Sequence, residues 1–329
     1  MQRRKMLKAA SALGWAPLAG WSRSAAAADA LDYPKAGATL RYVVPFAPGG
    51  LTDVMARLVA QQLTDRWKAT VVVDNRPGGG AQIGADAVAK AAPDGNTLLA
   101  ITLTHAANVT LFPKAPFDLM KDLKPVALMA GSPMLVVVPT GSPVKTFGEL
   151  MAKAKTDKLN AGSSGNGTPP HLTLALFNDL DKSAIQHVPY KGGAPSITDL
   201  MGGQLDVIFS NFPESIAQVK SGKLRALAIA SGARHPMLPD VPTTAEAGMP
   251  QLLVENWTGM MVPAGVGDAI VHKLGDEVVK IMTLPDVKER ATALGFRVDA
   301  RGPDQFAPFL RDEVARWAKV IQAAHITVD

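Results

Sequence analysis

The chain contains no cysteine among its 329 residues. That absence excludes a disulfide framework, a thiolate metal site and a cysteine nucleophile. The folded protein must therefore be held by packing alone, and 47% hydrophobic residues are enough to build a core. No two of the six histidines stand three or four positions apart, so a helical pair of metal ligands is missing as well. We expect neither a metal nor a cofactor.

Excess charge is also missing once the first 28 residues are set aside. Those residues hold five cations and no acid, and the rest of the chain has 29 cations against 29 acids. The basic sequence pI of about 9.3 therefore comes from the amino-terminal segment. Because nucleic-acid binding needs a basic surface, we expect no nucleic-acid partner.

The amino-terminal segment has the pattern of an export signal. Its cations come first, a short and weakly apolar stretch follows at residues 9–20, and alanines at 25–28 offer a cleavage site near Ala28. The apolar stretch is shorter than the ~20 residues of a membrane span and contains Pro17. Arg3 and Arg4 favour the twin-arginine route, with an ordinary secretory signal as the alternative. We expect a signal peptide at residues 1–28 and a periplasmic protein.

Two glycine loops stand at corresponding places in the remaining chain. An apolar strand at residues 40–44 leads into PFAPGG and then into a helical pattern. A short strand at residues 159–162 leads into SSGNGTPP and a second helix, with Thr168 as N-cap and Pro169 at the first position. Glycines let a ligand approach the backbone, where the first helical turn offers free N–H groups. If two such ends face each other, they would bind a ligand with negative charge at either end. The alternative is that these glycines only make turns.

Strands alternate with helices along the chain, which predicts an α/β fold with a largely parallel sheet. About 300 mature residues suggest two domains or one large one. Further strands are predicted at residues 70–73, 97–102, 126–129, 135–138, 205–210 and 224–230. Helices are predicted at residues 268–282, 285–294 and 303–323, and residues 255–262 form an extended segment that returns the chain to the first unit.

The motifs that mark common enzymes are missing from the sequence. There is no G-x-S-x-G nucleophile motif, no zinc motif and no phosphate-binding P-loop. Gly78 and Gly80 match part of a dinucleotide fingerprint, but Ile83 stands where its third glycine should be. These absences make an enzyme the least favoured functional class for this sequence.

Seven short motifs together resemble one family, and the match covers essentially the whole mature chain in one register. The motifs are PFAPGGLTD at 45–53, NRPG at 75–78, PDG at 93–95, THA at 104–106, GSSGNG at 162–167, VPYKG at 188–192 and LPDVPT at 238–243. The chain resembles the Bug-type solute receptors, the periplasmic binding proteins of tripartite tricarboxylate transporters.

The resemblance implies a two-lobed periplasmic binding protein fold of type II. Each lobe would be a mixed, mostly parallel sheet flanked by helices, with two crossover strands as the hinge. Lobe one would comprise residues 37–138 and 258–329, and lobe two residues 139–257.

In this family a small carboxylate lies in the cleft, held largely by backbone amides and ordered water. For this chain the resemblance implies a di- or tricarboxylate, an acidic amino acid or an aromatic acid. The matching positions are Phe46, Gly49, Gly50, Thr52 and Asp53 in lobe one, Ser163, Gly165, Asn166, Gly167, Thr168 and His171 in lobe two, and in addition Thr104 and Asp206. Asp53 would cap its own helix, fix a water or accept a donor of the ligand.

The resemblance further implies a monomeric receptor that delivers its ligand to the membrane subunits of a tripartite tricarboxylate transporter. A sensor that presents the carboxylate to a membrane signalling protein is the alternative. An enzyme on the same fold is the third reading.

Overall fold

The structure, a computed structural model, describes residues 31–328, so the predicted signal peptide lies outside the described residues. The strands are β1 (Thr39–Val44), β2 (Thr70–Asn75), β3 (Thr97–Thr102), β4 (Leu123–Pro139), β5 (Asn160–Ser163), β6 (Gln186–Pro189), β7 (Val207–Asn211), β8 (Leu224–Ala230), β9 (Glu255–Pro263) and β10 (Arg297–Arg301). The helices are α1 (Leu51–Trp67), α2 (Gln82–Ala89), α3 (Leu103–Leu111), α4 (Leu119–Asp122), α5 (Phe147–Ala154), α6 (Pro169–Asp181), α7 (Gly193–Met201), α8 (Phe212–Lys220), α9 (Asp268–Thr283), α10 (Pro285–Ala293) and α11 (Pro303–Ala323).

The strands join into one mixed sheet in the order β2-β1-β3-β9-β4-β7-β5-β6, with β8 and β10 also paired to β4. The β1, β2 and β3 strands are parallel, and so are β5, β6 and β7, because helices connect them. The β9 strand runs antiparallel to β3 and β4, and β4 runs antiparallel to β7 and β8. The predicted α/β fold is confirmed.

The long strand β4 belongs to both ends of this sheet. Its residues 123–133 pair with β9, and its residues 134–139 pair with β7 and β8. The sequence predicted two strands here, and the structure has one, because bulges shift the register without ending the pairing. We call the part of the sheet that holds β1, β2, β3, β9 and β10 the first half, and the part that holds β5 to β8 the second half, each taken with its attached helices.

The predicted strand at residues 97–102 and the three carboxyl-terminal helices are confirmed. Five elements were not predicted: the strands β6 and β10 and the helices α3, α4 and α8. The α1 and α9 helices pack on one face of the first half, around Val59, Leu63 and Leu274, which are buried. In the second half, Phe177 and Phe209 pack between α6 and the sheet. These cores fix the carboxyl ends of the strands, where the helices begin.

Candidate functional site

Five helices begin around one small cavity, which we call the inner cavity. Each of them, α1, α3, α6, α7 and α8, follows the carboxyl end of a strand, the place where sites gather in open α/β sheets. The lining residues are Phe46, Gly50, Leu51, Thr52, Thr102, Thr104, Ser164, Thr168, Pro169, Gly193, Asn211, Glu214 and Asn256. They come from both halves of the protein. The inner cavity has about 20 Å³ of free space, which is enough for a single water.

A larger cavity of about 330 Å³ adjoins the inner one and shares Phe46 and Ser164 with it. We call it the outer cavity. Its other lining residues are Pro45, Gly78, Gly79, Gly80, Ala81, Phe112, Gly165, Asn166, Pro189, Tyr190 and Lys191. Its volume lies in the range of small-molecule sites. A separate groove of about 450 Å³ lies beside α3 and the loop after it, and the two predicted glycine loops do not line it.

Two hydroxyl groups in the inner cavity have no hydrogen-bond partner among the described residues. Thr104 is fully buried and Ser164 is 7% exposed, and both Oγ atoms are shielded from solvent. A buried hydroxyl without a partner costs free energy. Such groups are expected where a ligand or water completes the hydrogen bonding. Both hydroxyls can donate to a carboxylate oxygen.

The predicted residue Asp53 is used inside the protein. Its carboxylate accepts hydrogen bonds from the Gly49 backbone N–H at 2.9 Å, from Arg57 Nε at 2.9 Å and from Asn75 Nδ2 at 2.9 Å. Burial alone would raise the pKa of Asp53, but these hydrogen bonds lower it below the usual value. Asp53 thus fixes the glycine loop before α1 and is not among the residues that line the two cavities.

The loop before α6 is held by its own side chains. Thr168 Oγ1 donates to the Gly165 carbonyl at 2.6 Å, and the Gly167 N–H donates to His171 Nδ1 at 3.1 Å. Gly165 and Gly167 have positive φ angles of 122° and 73°, a region that favours glycine. A Cβ at Gly167 would overlap Asn108 Oδ1 on α3, in the other half of the protein.

A stacked pair of histidine rings contacts this loop. The rings of His171 and His187 lie 4.0 Å apart at 14°, and His187 Nε2 is 2.6 Å from Ser163 Oγ. Burial lowers the pKa of His171 to about 4; burial, together with His171, lowers that of His187 to about 3. Ser163 Oγ also donates to the Gly165 carbonyl, and Ser163 does not line either cavity.

The structure brings most of the predicted residues to one place. Those that line the inner or outer cavity are Phe46, Gly50, Thr52, Thr104, Gly165, Asn166 and Thr168. Five other predicted residues line neither cavity and take part in hydrogen bonds that hold the two loops: Gly49, Asp53, Ser163, Gly167 and His171. Asp206 is not brought to the site. It is exposed at the start of β7, where its carboxylate accepts from the Asn160 N–H at 2.7 Å, and the site lies at the other end of that strand.

Sequence reasoning missed three polar residues of the inner cavity. Asn211 is the N-cap of α8, a helix that was not predicted, Glu214 stands in the first turn of that helix, and Asn256 comes from β9. A local signal was present: Asn211 ends a buried strand, and a proline and an acid follow within three residues, as at many helix starts.

Within residues 31–328, no group of three or more histidine, aspartate or glutamate side chains is arranged to hold a metal ion. In the same range, no helix combines the length and the apolar character that a membrane crossing requires.

Residues 55–326 match the sequence model for the tripartite tricarboxylate transporter family receptor (TctC). The chain belongs to this receptor family. Protein BugT of Bordetella pertussis is similar to this TctC-family chain, with 36% identity over 302 residues that cover 91% of this chain and 92% of BugT.

Solved structures of related receptors share the fold. The periplasmic binding protein BugD is 31% identical, with a TM-score of 0.86 over 90% of this chain and 99% of BugD. MatC from Rhodopseudomonas palustris, solved with bound malate, is 35% identical, with a TM-score of 0.82 over 86% of this chain and 98% of MatC. The family and these neighbours are binding proteins, which agrees with a site built from helix ends and hydroxyls.

Proposed function

We propose that the protein is a periplasmic receptor that captures a small carboxylate between its two halves and delivers it to a tripartite tricarboxylate transporter. The observation that carries this proposal is the inner cavity, where five helix starts meet the unpartnered hydroxyls of Thr104 and Ser164. Helix N-termini favour anions, and a preformed set of donors recognises a carboxylate without a cationic side chain. The malate in the MatC structure supports the choice of a carboxylate.

The ligand enters when the two halves separate and is enclosed when they close. In the structure the halves touch through the Ala47 N–H, which donates to the Lys191 carbonyl at 3.1 Å, and through the Leu51 N–H, which donates to Glu214 Oε1 at 3.1 Å. These contacts close over a cavity that holds one water, so a larger ligand requires them to open. We propose that lobe one comprises residues 37–138 and 258–329, that lobe two comprises residues 139–257, and that β4 and β9 act as the hinge.

Binding, and not catalysis, is the proposed activity. Ser163 and His187 form a hydrogen-bonded pair of the kind that enzymes use, but Ser163 Oγ is engaged with the Gly165 backbone and does not line a cavity. A ligand recovered chemically unchanged after long incubation would support this assignment. A new product that disappears in Ser163→Ala would contradict it.

The direct test begins with mass spectrometry of small molecules released from protein purified from the periplasm. Thermal shifts against a panel of mono-, di- and tricarboxylates follow, because a ligand that binds the native state raises its stability. A carboxylate that stabilises the protein in a concentration-dependent way is the expected result. Uptake of that compound should stop when the membrane subunits of the transporter are deleted. Continued uptake, or a panel without any binder, would contradict the proposal.

A further inference from the structure

Glu214 places a carboxylate of the protein itself at the inner cavity. Among the described residues that line this cavity, Glu214 alone is charged. Its Oε1 accepts a hydrogen bond from the Leu51 N–H at 3.1 Å, in the first turn of α1. Its Oε2 accepts from Asn211 Nδ2 at 3.0 Å. One of the free N–H groups at the start of α1, a predicted anion site, is therefore already used by a carboxyl group of the protein.

Three elements hold this carboxylate in place. Asn256 on β9 donates to Asn211 Oδ1, and Asn211 in turn donates to Glu214 Oε2, while the Leu51 N–H at the start of α1 holds Oε1. A Cβ at Gly193 would overlap the Glu214 carboxylate, so the start of α7 leaves room for it only because that residue is glycine. Glu214 is thus a built part of the cavity wall.

The held carboxylate limits which ligands fit. An ionised carboxylate has about four acceptor sites, and the described residues fill two of them. The remaining capacity suits a donor on the ligand, such as an ammonium or an amide N–H. A second carboxylate placed there would meet like charge in a poorly solvated cavity, which is a strong means of rejecting a wrong ligand.

The same cavity offers the opposite chemistry at the hydroxyls of Thr104 and Ser164. They are buried, without partners among the described residues, and able to donate to a carboxylate. The cavity therefore combines an acceptor, Glu214, with two donors.

We propose that Glu214 determines the specificity of the receptor and selects a carboxylate that also carries a nitrogen donor, an ammonium or an amide, over a plain dicarboxylate. This inference rests on the proposed function and narrows its ligand class. It assigns the carboxylate of the ligand to the Thr104 and Ser164 hydroxyls and the nitrogen donor of the ligand to Glu214.

The test compares compounds that differ only at one end. Succinate, succinamate and β-alanine share a two-carbon spacer, and terephthalate and 4-carbamoylbenzoate share a benzene ring. Each is titrated calorimetrically at pH 7.5 into the wild type, Glu214→Gln and Glu289→Gln. Glu289 is exposed on α10, so its variant makes the same chemical change away from the cavity. Thermal unfolding confirms that each variant is folded.

The wild type and Glu289→Gln are expected to bind an amide or amine at least about tenfold more tightly than the matched diacid. Glu214→Gln is expected to lose that preference, so that its affinity for the nitrogen compound falls and its affinity for the diacid rises. A wild type that prefers the diacid would overturn the inference and leave the proposed function standing. Higher affinity of Glu214→Gln for both classes would also overturn it, because Glu214 would then be an internal anion that any ligand displaces. If none of the five compounds binds the wild type while another carboxylate of the wider panel does, the inference is overturned and the proposed function stands.

Discussion

The Leu51 N–H donates to Glu214 Oε1 at 3.1 Å across 163 residues of sequence. The bond joins the first turn of α1 in the first half to the first turn of α8 in the second. Together with the bond from the Ala47 N–H to the Lys191 carbonyl, it ties the two halves together beside the inner and outer cavities. These two bonds must break when the halves separate.

A side chain at Gly192 should keep the halves apart. A Cβ there would lie 3.0 Å from the Ala47 Cβ and 3.2 Å from the Ala47 nitrogen, contacts that are too tight to form without a shift. Gly192→Val is therefore expected to weaken binding of the best carboxylate by about tenfold or more, because the closed state becomes less populated. Small-angle scattering should show a larger radius of gyration for this variant than for the wild type with ligand. Gly141→Val, which meets open space, is the control. Equal affinity and equal radius in all three proteins would contradict closure at this contact.

Replacing the unpartnered hydroxyls should raise stability and lower affinity at once. In Thr104→Val and Ser164→Ala, a buried polar group without a partner is removed, so the free energy of unfolding of the empty protein should rise by about 1 kcal/mol. Affinity for the ligand should fall, because a donor is lost. Denaturant unfolding and calorimetric titration measure the two effects.

Thr258→Val is the matched control for this pair. Thr258 Oγ1 is also buried without a partner among the described residues, but Thr258 does not line the inner cavity. Thr258→Val should raise the free energy of unfolding and leave the affinity for the ligand unchanged. If all three variants bind as the wild type does, the hydroxyls do not contact the ligand.

The fold was readable from local signals, and the site only in part. Gly50, Thr168 and Pro169 mark helix starts through their own conformational preferences, so both loops were found from neighbouring residues alone. Glu214 follows β7 and meets α1 because β4 pairs with both β7 and β9, an arrangement set by long-range packing that no local pattern encodes. Asp206 was expected at the site from the resemblance alone, outside the seven motifs, and its carboxylate instead accepts from the Asn160 N–H at the far end of β7.

Acid should destabilise the loop before α6 through His171. Burial lowers the pKa of His171 to about 4, against about 6.5 in the unfolded chain. Between these values the unfolded state binds a proton that the native state does not, so stability is lost as the pH falls from 6.5 to 4, by up to about 3 kcal/mol for this group. Urea unfolding at pH 7.5 and 5.0 should show the loss in the wild type.

In His171→Asn, the side chain can still accept from the Gly167 N–H but cannot titrate, so the pH dependence should be smaller. His272→Asn is the control, because His272 is half exposed on α9. If His171→Asn loses as much stability between pH 7.5 and 5.0 as the wild type does, His171 is not responsible for the loss.

Export should remove the first 28 residues. Intact mass of protein taken from the periplasm is expected to correspond to a chain that starts near residue 29, because the alanines at 25–28 form the cleavage site. Replacing Arg3 and Arg4 by lysine should block export by the twin-arginine route. Normal export of that variant would favour the general secretory route, and a periplasmic chain that keeps Met1 would contradict cleavage.

We expect backbone N–H groups at helix starts, together with hydroxyl groups, to hold the carboxylate without a cationic side chain. Two cations stand close to the predicted site residues: Arg57, which is bound to Asp53, and Lys191, which is exposed and lines the outer cavity. Gly50 lies at the start of α1 and lines the inner cavity, so a side chain there obstructs the approach of a ligand.

The most direct measurement is calorimetric titration of the best-binding carboxylate into the wild type, Gly50→Val, Arg57→Ala and Lys191→Ala, each shown to be folded by circular dichroism. Gly50→Val should lose at least about tenfold in affinity, because hydrogen bonds to a charged acceptor contribute roughly 1.5–3 kcal/mol each. The two alanine variants should bind within a few-fold of the wild type. Abolished binding in Arg57→Ala or Lys191→Ala, with normal binding in Gly50→Val, would show instead that a cationic side chain holds the carboxylate.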